Sequence, residues 1–156
     1  MPSRGDFLKY WLPVLVWMLV IFLASTSLGS GANTSRILGP MLNFLFPDIT
    51  PETIAGIRMT VRKLGHFVEY AVLAGLLWRA FFRPCIDRPW HWPAAGCSVV
   101  TSIVYAVSDE FHQTFVPGRV GSPVDVIIDS IGATCGLAFL WLWWNWKRAK
   151  RQGLAS

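Results

Sequence analysis

The chain has 156 residues, one domain by size, with 53% hydrophobic residues, 15% charged residues and nine tryptophans. That balance excludes a small soluble protein and describes a membrane protein. The formal charge of +5 lies in short basic clusters beside apolar runs, where it sets orientation, so no nucleic-acid partner is expected.

Tyr10 to Ser35 carries no charge, and Tyr10 to Leu28 is almost wholly apolar, enough to cross a hydrocarbon core of roughly 30 Å. This is the first span, about residues 10–28. Arg4 and Lys9 before it and Ala24-Ser25-Thr26-Ser27 within its end imitate a secretory signal. The run exceeds the usual apolar region of about 7–15 residues, which favours an anchor over a cleaved signal. Pro13 falls near the start, where a missing N–H costs least.

Gly29-Ser30-Gly31 ends that helix. Ile37, Leu38, Met41, Leu42 and Leu45 then recur at near-helical spacing, interrupted by Gly39-Pro40, as in a short interfacial segment. Thr50-Pro51-Glu52 reads as N-cap, proline at the first helical position and an acid in the first turn. Ile54, Ile57, Val61, Leu64 and Val68 continue as one face of an amphipathic helix, with Arg58 and Arg62 elsewhere on the wheel and a bend expected at Gly65. The interfacial and amphipathic region covers about residues 34–64.

The second span, about 66–83, carries His66, Glu69 and Arg79. Arg79 can snorkel toward the nearby Arg83 and Arg88. His66, Glu69 and Tyr70 fall within an arc of about 80° to 100°, and Ala71 and Gly75 form a small-xxx-small pair for close helix contact. In the third span, about 92–109, Ser98, Thr101, Ser102, Tyr105, Ser108, Asp109 and His112 share roughly 120° of the wheel. Lipid would not accept that polar stripe, so it should face inward. Glu110 points away from it, leaving Asp109 and His112 as the better cavity-lining candidates. Tyr105 reads as a hydrogen-bonded packing residue.

Pro117-Gly118 is a turn signal. Ser122-Pro123-Val124-Asp125 restarts a helix, with Ser122 as N-cap and Asp125 at its positive end. In the fourth span, about 124–145, Asp125, Asp129, Gly132, Gly136, Phe139 and Trp143 share a face. Two carboxylates thus lie one turn apart above a GxxxG-like seam whose packing partner should form the other wall of the site.

The fold class expected is all-α: an integral membrane four-helix transmembrane bundle with the interfacial segment between spans one and two. With the N-terminus inside, eight lysines and arginines lie inside and five outside, counting all but the snorkelling Arg79. The positive-inside rule therefore puts both termini in the cytoplasm. Trp141, Trp143, Trp144 and Trp146 suit an aromatic belt at the cytoplasmic end. The polar stretch from Ser108 to Ser130 then faces away from the cytoplasm, and His66, Asp109 and Asp125 should converge there on one hydrated pocket.

Asp109-Glu110-x-His112-Gln113-x-Phe115-x-Pro117-Gly118-Arg119, with Asp125 and Gly132-x-x-x-Gly136 after it, resembles the signature of the VanZ-like family of small bacterial membrane proteins. Lys63-x-x-His66-Phe67-x-x-Tyr70 is similar to that family's earlier block. Asp129 departs from it, since the family pattern more often has asparagine there. The resemblance implies a multi-pass protein of the bacterial cytoplasmic membrane. It also implies association with resistance to glycopeptides such as teicoplanin, without an altered wall precursor.

Three readings of the polar residues stand beside one another. In the first, Lys63, His66, Glu69, Tyr70, Asp109, His112, Gln113, Arg119, Asp125 and Asp129 recognise a membrane lipid, wall-precursor or glycopeptide group. Arg119 would meet a phosphate or carboxylate. In the second, an intramembrane hydrolase or transferase uses His112 or Glu110 as general base, with Asp109 a further candidate and Arg119 or Lys63 stabilising negative charge. No Gly-x-Ser-x-Gly element supports the familiar serine-hydrolase arrangement. In the third, the same residues are polar glue between helices. No cofactor is expected, although histidine with several carboxylates leaves a divalent cation open. Cys85, Cys97 and Cys135 are odd in number and scattered, indicating neither a disulfide framework nor a zinc site.

Overall fold

The computed structural model describes residues 4–26, 31–82, 89–117 and 119–153, and among these every regular element is an α-helix. They are α1 (Arg4–Ser25), α2 (Gly31–Leu45), α3 (Pro51–Phe82), α4 (Trp92–Gln113) and α5 (Pro123–Arg151). The expectations for Ser27 to Ser30, Arg83 to Arg88 including Cys85, and Gly118 lie outside the described residues.

Local chemistry sets the starts of α3 and α4. The Thr53 N–H donates to Thr50 Oγ1 at 3.3 Å, so Thr50 caps α3 ahead of Pro51 as its sequence position requires. α4 begins differently from a Ser/Thr cap: the Ala94 N–H donates to His91 Nδ1 at 3.2 Å, with proline in the first turn. Ser122 occupies the N-cap of α5 in extended geometry, but its side chain makes no capping bond. α2 runs through Gly39-Pro40 instead of breaking there, and α3 passes Gly65 as a single helix of 32 residues. A glycine inside a helix costs about 1 kcal/mol, which the packing of α3 against its neighbours outweighs; nothing in the structure explains the continuation of α2 through Pro40.

α3 is the hub, packing against each of the other four helices, while α2 packs on α3 alone among the described residues. Its tightest partner is α5. A Cβ at Gly132 would overlap the Phe67 carbonyl, and one at Gly136 would lie 2.6 Å from the Ala71 carbonyl oxygen. A Cβ at Gly75 would lie 3.0 Å from Leu140 Cδ1. The three contacts advance together along both sequences, so α3 and α5 run parallel here with backbones nearly touching. The small residues predicted on each helix are therefore one shared seam.

Below the seam, Leu73, Ala74 and Leu77 of α3, Ala106 of α4 and Ala133 and Leu137 of α5 form the core. An aromatic cluster closes the far end: Trp78 stacks on Trp90 at 4.2 Å and meets Trp144 edge-on at 5.4 Å. Lys147 sits over the Trp143 ring at 4.2 Å. Phe139 shares the wheel face of Gly132 and Gly136 but is 68% exposed. An α-helix drifts against a straight partner, carrying the lower part of the face out of the seam.

Two helices, Phe7–Ser25 of α1 and Pro123–Arg151 of α5, are long and apolar enough to cross a membrane. α3 and α4 are not among the candidate spans; α3 carries His66, Glu69 and Arg79, and α4 carries its hydroxyl stripe and Asp109.

Candidate functional site

The last turns of α1 and α4, the first turns of α5 and the middle of α3 meet at one end of the bundle. Asp109, Glu110 and Gln113 lie at the C-terminal end of α4, and the intervals of four and three residues to Gln113 bring their side chains together. Gln113 is fully buried and acts as the node. Its Nε2 donates to Asp109 Oδ2 at 3.1 Å and Glu110 Oε1 at 3.0 Å. Its Oε1 accepts from Arg62 at 3.2 Å and Arg119 at 3.4 Å. One amide thus joins two anions to two cations, using donor and acceptor ends for opposite charges.

Each neighbouring element adds a partner. From α1, Ser25 Oγ donates to Asp109 Oδ2 at 2.6 Å, and the Ala24 carbonyl accepts from Arg119. From α3, Arg62 pairs with Asp125 at 3.4 Å. The Ser122 N–H before α5 donates to Glu110 Oε2 at 2.8 Å. Burial lowers the pKa of the Arg119 guanidinium from its usual value, and nearby Arg62 adds to this, while Asp109, Glu110 and Glu69 oppose it.

Deeper in, His66 of α3 faces Asp129 of α5, with Nδ1 and Oδ1 3.2 Å apart. The approach is short but not aligned as a hydrogen bond, and both oxygens of the wholly buried Asp129 lack a hydrogen-bond partner. A wholly buried carboxylate whose one close polar contact is an imidazole nitrogen is under-satisfied and costly, which makes this position unusual. His66, Glu110 and Asp129 each place a potential ligand atom within 4.8 Å of the others. Above them lies a cleft of about 370 Å³, lined by Arg58, Arg62, Arg119, Ser25, His66 and Glu69 together with apolar residues.

The structure brings together most, but not all, of the residues picked out from sequence. His66, Asp109, Gln113, Arg119, Asp125 and Asp129 belong to the cluster, and Glu69 lines the cleft while its carbonyl accepts from Trp17. Tyr70 is buried below, its hydroxyl without a hydrogen-bond partner. Tyr105 donates to the Met18 carbonyl at 2.6 Å, a packing role. Lys63 is exposed and outside the cleft lining. His112 packs its ring against Phe22 of α1 at 4.7 Å and is not among the cleft-lining residues.

Glu110 requires a correction. The wheel of α4 turns it away from the polar stripe, yet it is 5% exposed and inside the cluster. The cause is tertiary: the segment after α4 folds back, placing Ser122 and α5 over that side of the helix. Ser108, on the stripe, is instead exposed. Ser25, hidden inside the uncharged first span, and Arg62, off the apolar face of its helix, also belong to the cluster although neither is a candidate from sequence. Arg58, Arg62, His66 and Glu69 follow intervals of four, four and three, and that spacing was the available signal.

Two helices long and apolar enough to cross a membrane, with a polar cleft at one end of the bundle, fit a small helical membrane protein. A family profile described as VanZ/LLP1 matches residues 10–144, and the chain belongs to that family. Searches among curated proteins and among solved structures gave no match.

Proposed function

We propose that this chain is a multi-pass protein of the bacterial cytoplasmic membrane. Helices α1, α3, α4 and α5 span the bilayer with both termini in the cytoplasm, and α2 lies along the interface. The outward faces of α4 support this reading: Val100, Val104, Val107 and Phe111 are each more than half exposed, while Ser98 and Ser102 are buried. That is the reverse of a water-facing helix and suits lipid. The basic residues Lys147, Arg148, Lys150 and Arg151 near the aromatic end favour a cytoplasmic placement, leaving the cleft outside. Cysteine at Val120, which is 80% exposed and follows the cleft-lining Arg119, should react with an impermeant maleimide from the periplasmic or external side. Labelling only after permeabilisation would reverse the topology.

The cleft binds the anionic headgroup of an envelope lipid or wall precursor. The observation that carries this is the convergence of Arg58, Arg62 and Arg119 on one cleft opening beside apolar surface. Guanidinium groups match phosphate and carboxylate geometry, and acyl chains can remain in lipid. Family membership adds an effect on glycopeptide sensitivity, teicoplanin included, as the cellular consequence. The direct test is binding of a short-chain polyprenyl phosphate to nanodisc-embedded protein. Arg62→Ala with Arg119→Ala should weaken it at least tenfold, measured on protein that circular dichroism shows to be folded; equal binding by the folded double variant overturns the assignment.

A second reading, an intramembrane hydrolase or transferase, draws on one further observation. His66 reaches from the cleft lining to within 3.2 Å of the buried carboxylate of Asp129, close enough for a small ring rotation to make the hydrogen bond by which a carboxylate orients an imidazole base. It shifts the base from His112 to His66. Turnover of a lipid-linked substrate, lost in His66→Ala, would distinguish it from stoichiometric binding.

A further inference from the structure

We propose that His66, Glu110 and Asp129 form a binding site for a single first-row divalent cation, lying beneath the anion-binding cleft and joining α3, α4 and α5. The three side chains come from three helices, so no local sequence spacing creates the cluster. Their candidate ligand atoms nonetheless lie within 4.8 Å of one another. With metal–ligand bonds of about 2.1 Å, ligands at right angles are roughly 3 Å apart and opposite ones roughly 4.2 Å apart. The 3.2 Å approach of His66 Nδ1 to Asp129 Oδ1 matches the first separation. Placed opposite one another across the metal, the widest pair, at up to 4.8 Å, needs to close by less than about 1 Å, within reach of a side-chain rotation.

Asp129 supplies an independent observation. Its side chain is wholly buried, and apart from the 3.2 Å approach of His66 to Oδ1 neither oxygen has a polar partner among the described residues. His66 Nδ1, buried opposite it, also lacks an aligned partner. Orphaned groups of this kind are rare because desolvation without a partner is expensive, and a cation satisfies all of them at once. The surrounding arginines do not replace it: Arg62 makes hydrogen bonds to Gln113 and Asp125, and Arg119 to Gln113 and the Ala24 carbonyl.

Glu110 is held for ligation in the complementary way. Gln113 Nε2 and the Ser122 N–H hold its two oxygens at 3.0 and 2.8 Å, fixing the carboxylate while leaving lone pairs for a metal. One imidazole with two carboxylates suits Mn²⁺, Fe²⁺ or Zn²⁺ better than an oxygen-only site for Ca²⁺ or Mg²⁺. The cation would pin the three helices together and offset the buried acidic charge. Because His66 also lines the cleft, an open coordination position on that side would face the bound headgroup.

The inference does not depend on headgroup binding: a protein that takes the cation but no phosphate keeps this site and loses the preceding assignment. The test is titration of chelator-treated full-length protein in detergent with Mn²⁺ and with Zn²⁺, followed by metal analysis after desalting. About one equivalent of at least one metal should bind saturably and raise the thermal midpoint. Asp129→Asn and Glu110→Gln, which keep side-chain volume, should each weaken that binding at least tenfold, while Glu52→Gln retains it. Helical circular dichroism checks that each variant is folded, and either carboxylate variant alone suffices if the other fails to fold. Lack of saturable binding of both metals by the parent protein, or undiminished binding in a folded variant of either carboxylate, overturns the proposal.

Discussion

Gly132→Ala tests the seam that holds the candidate site together. A Cβ there would overlap the Phe67 carbonyl, and at Gly136 it would stand 2.6 Å from the Ala71 carbonyl oxygen against an ordinary contact of 3.4 Å or more. The difference, 3.4 minus 2.6, requires α3 and α5 to part by about 0.8 Å at Gly136, with a deeper overlap at Gly132. Backbone cannot rotate out of the way as a side-chain tip can. Overpacking of this kind costs about 1–3 kcal/mol, outweighing the gain of up to about 1 kcal/mol expected when alanine replaces a helical glycine. The separation would also open the contact between His66 and Asp129, because Asp129 lies less than one turn from Gly132. Unfolding of purified protein in mixed detergent–SDS micelles, followed by circular dichroism, measures the effect. Gly96→Ala is the control, since nothing lies within 4 Å of its added Cβ. Equal stability of Gly132→Ala, Gly136→Ala and Gly96→Ala would refute the close-packed seam.

Gln113→Leu should cost more than a typical hydrogen bond, because it strips partners from Asp109, Glu110, Arg62 and Arg119 together. A loss of about 3–5 kcal/mol is expected in the same unfolding assay, as for a broken buried charge network. Trp78→Ala removes the ring between Trp90 and Trp144 and should destabilise by about 3–5 kcal/mol. Polyprenyl-phosphate affinity measured on the protein that remains folded should be unchanged. Lys63→Ala should alter both stability and phosphate binding little, within about 0.5 kcal/mol, since its side chain is exposed and outside the cleft lining. A tenfold loss of phosphate affinity in that variant would restore Lys63 to the site.

Much of the local architecture is legible in the chain itself. A charge-free apolar run makes α1, Thr50-Pro51 starts α3, Ser122-Pro123 starts α5, and GxxxG spacing announces a close helix contact, because each depends on neighbours within a turn or two. The inward direction of Ser98, Ser102 and Asp109 follows equally from the period of α4. Family membership, too, was visible in motif spacing.

What only the tertiary structure decided is which partner each polar face meets. A helical wheel treats everything outside one helix as lipid or core, so it could not know that Ser122 and α5 would cover Glu110. Nor could it know that Phe22 of α1 would take the ring of His112. Arg62 and Ser25 entered the cluster because α1 and α3 deliver them across more than fifty residues of sequence to Gln113 and Asp109. The physical reason is the range of the interactions: propensity and periodicity act within a helix, whereas buried charge is satisfied by whatever another helix brings within about 3 Å.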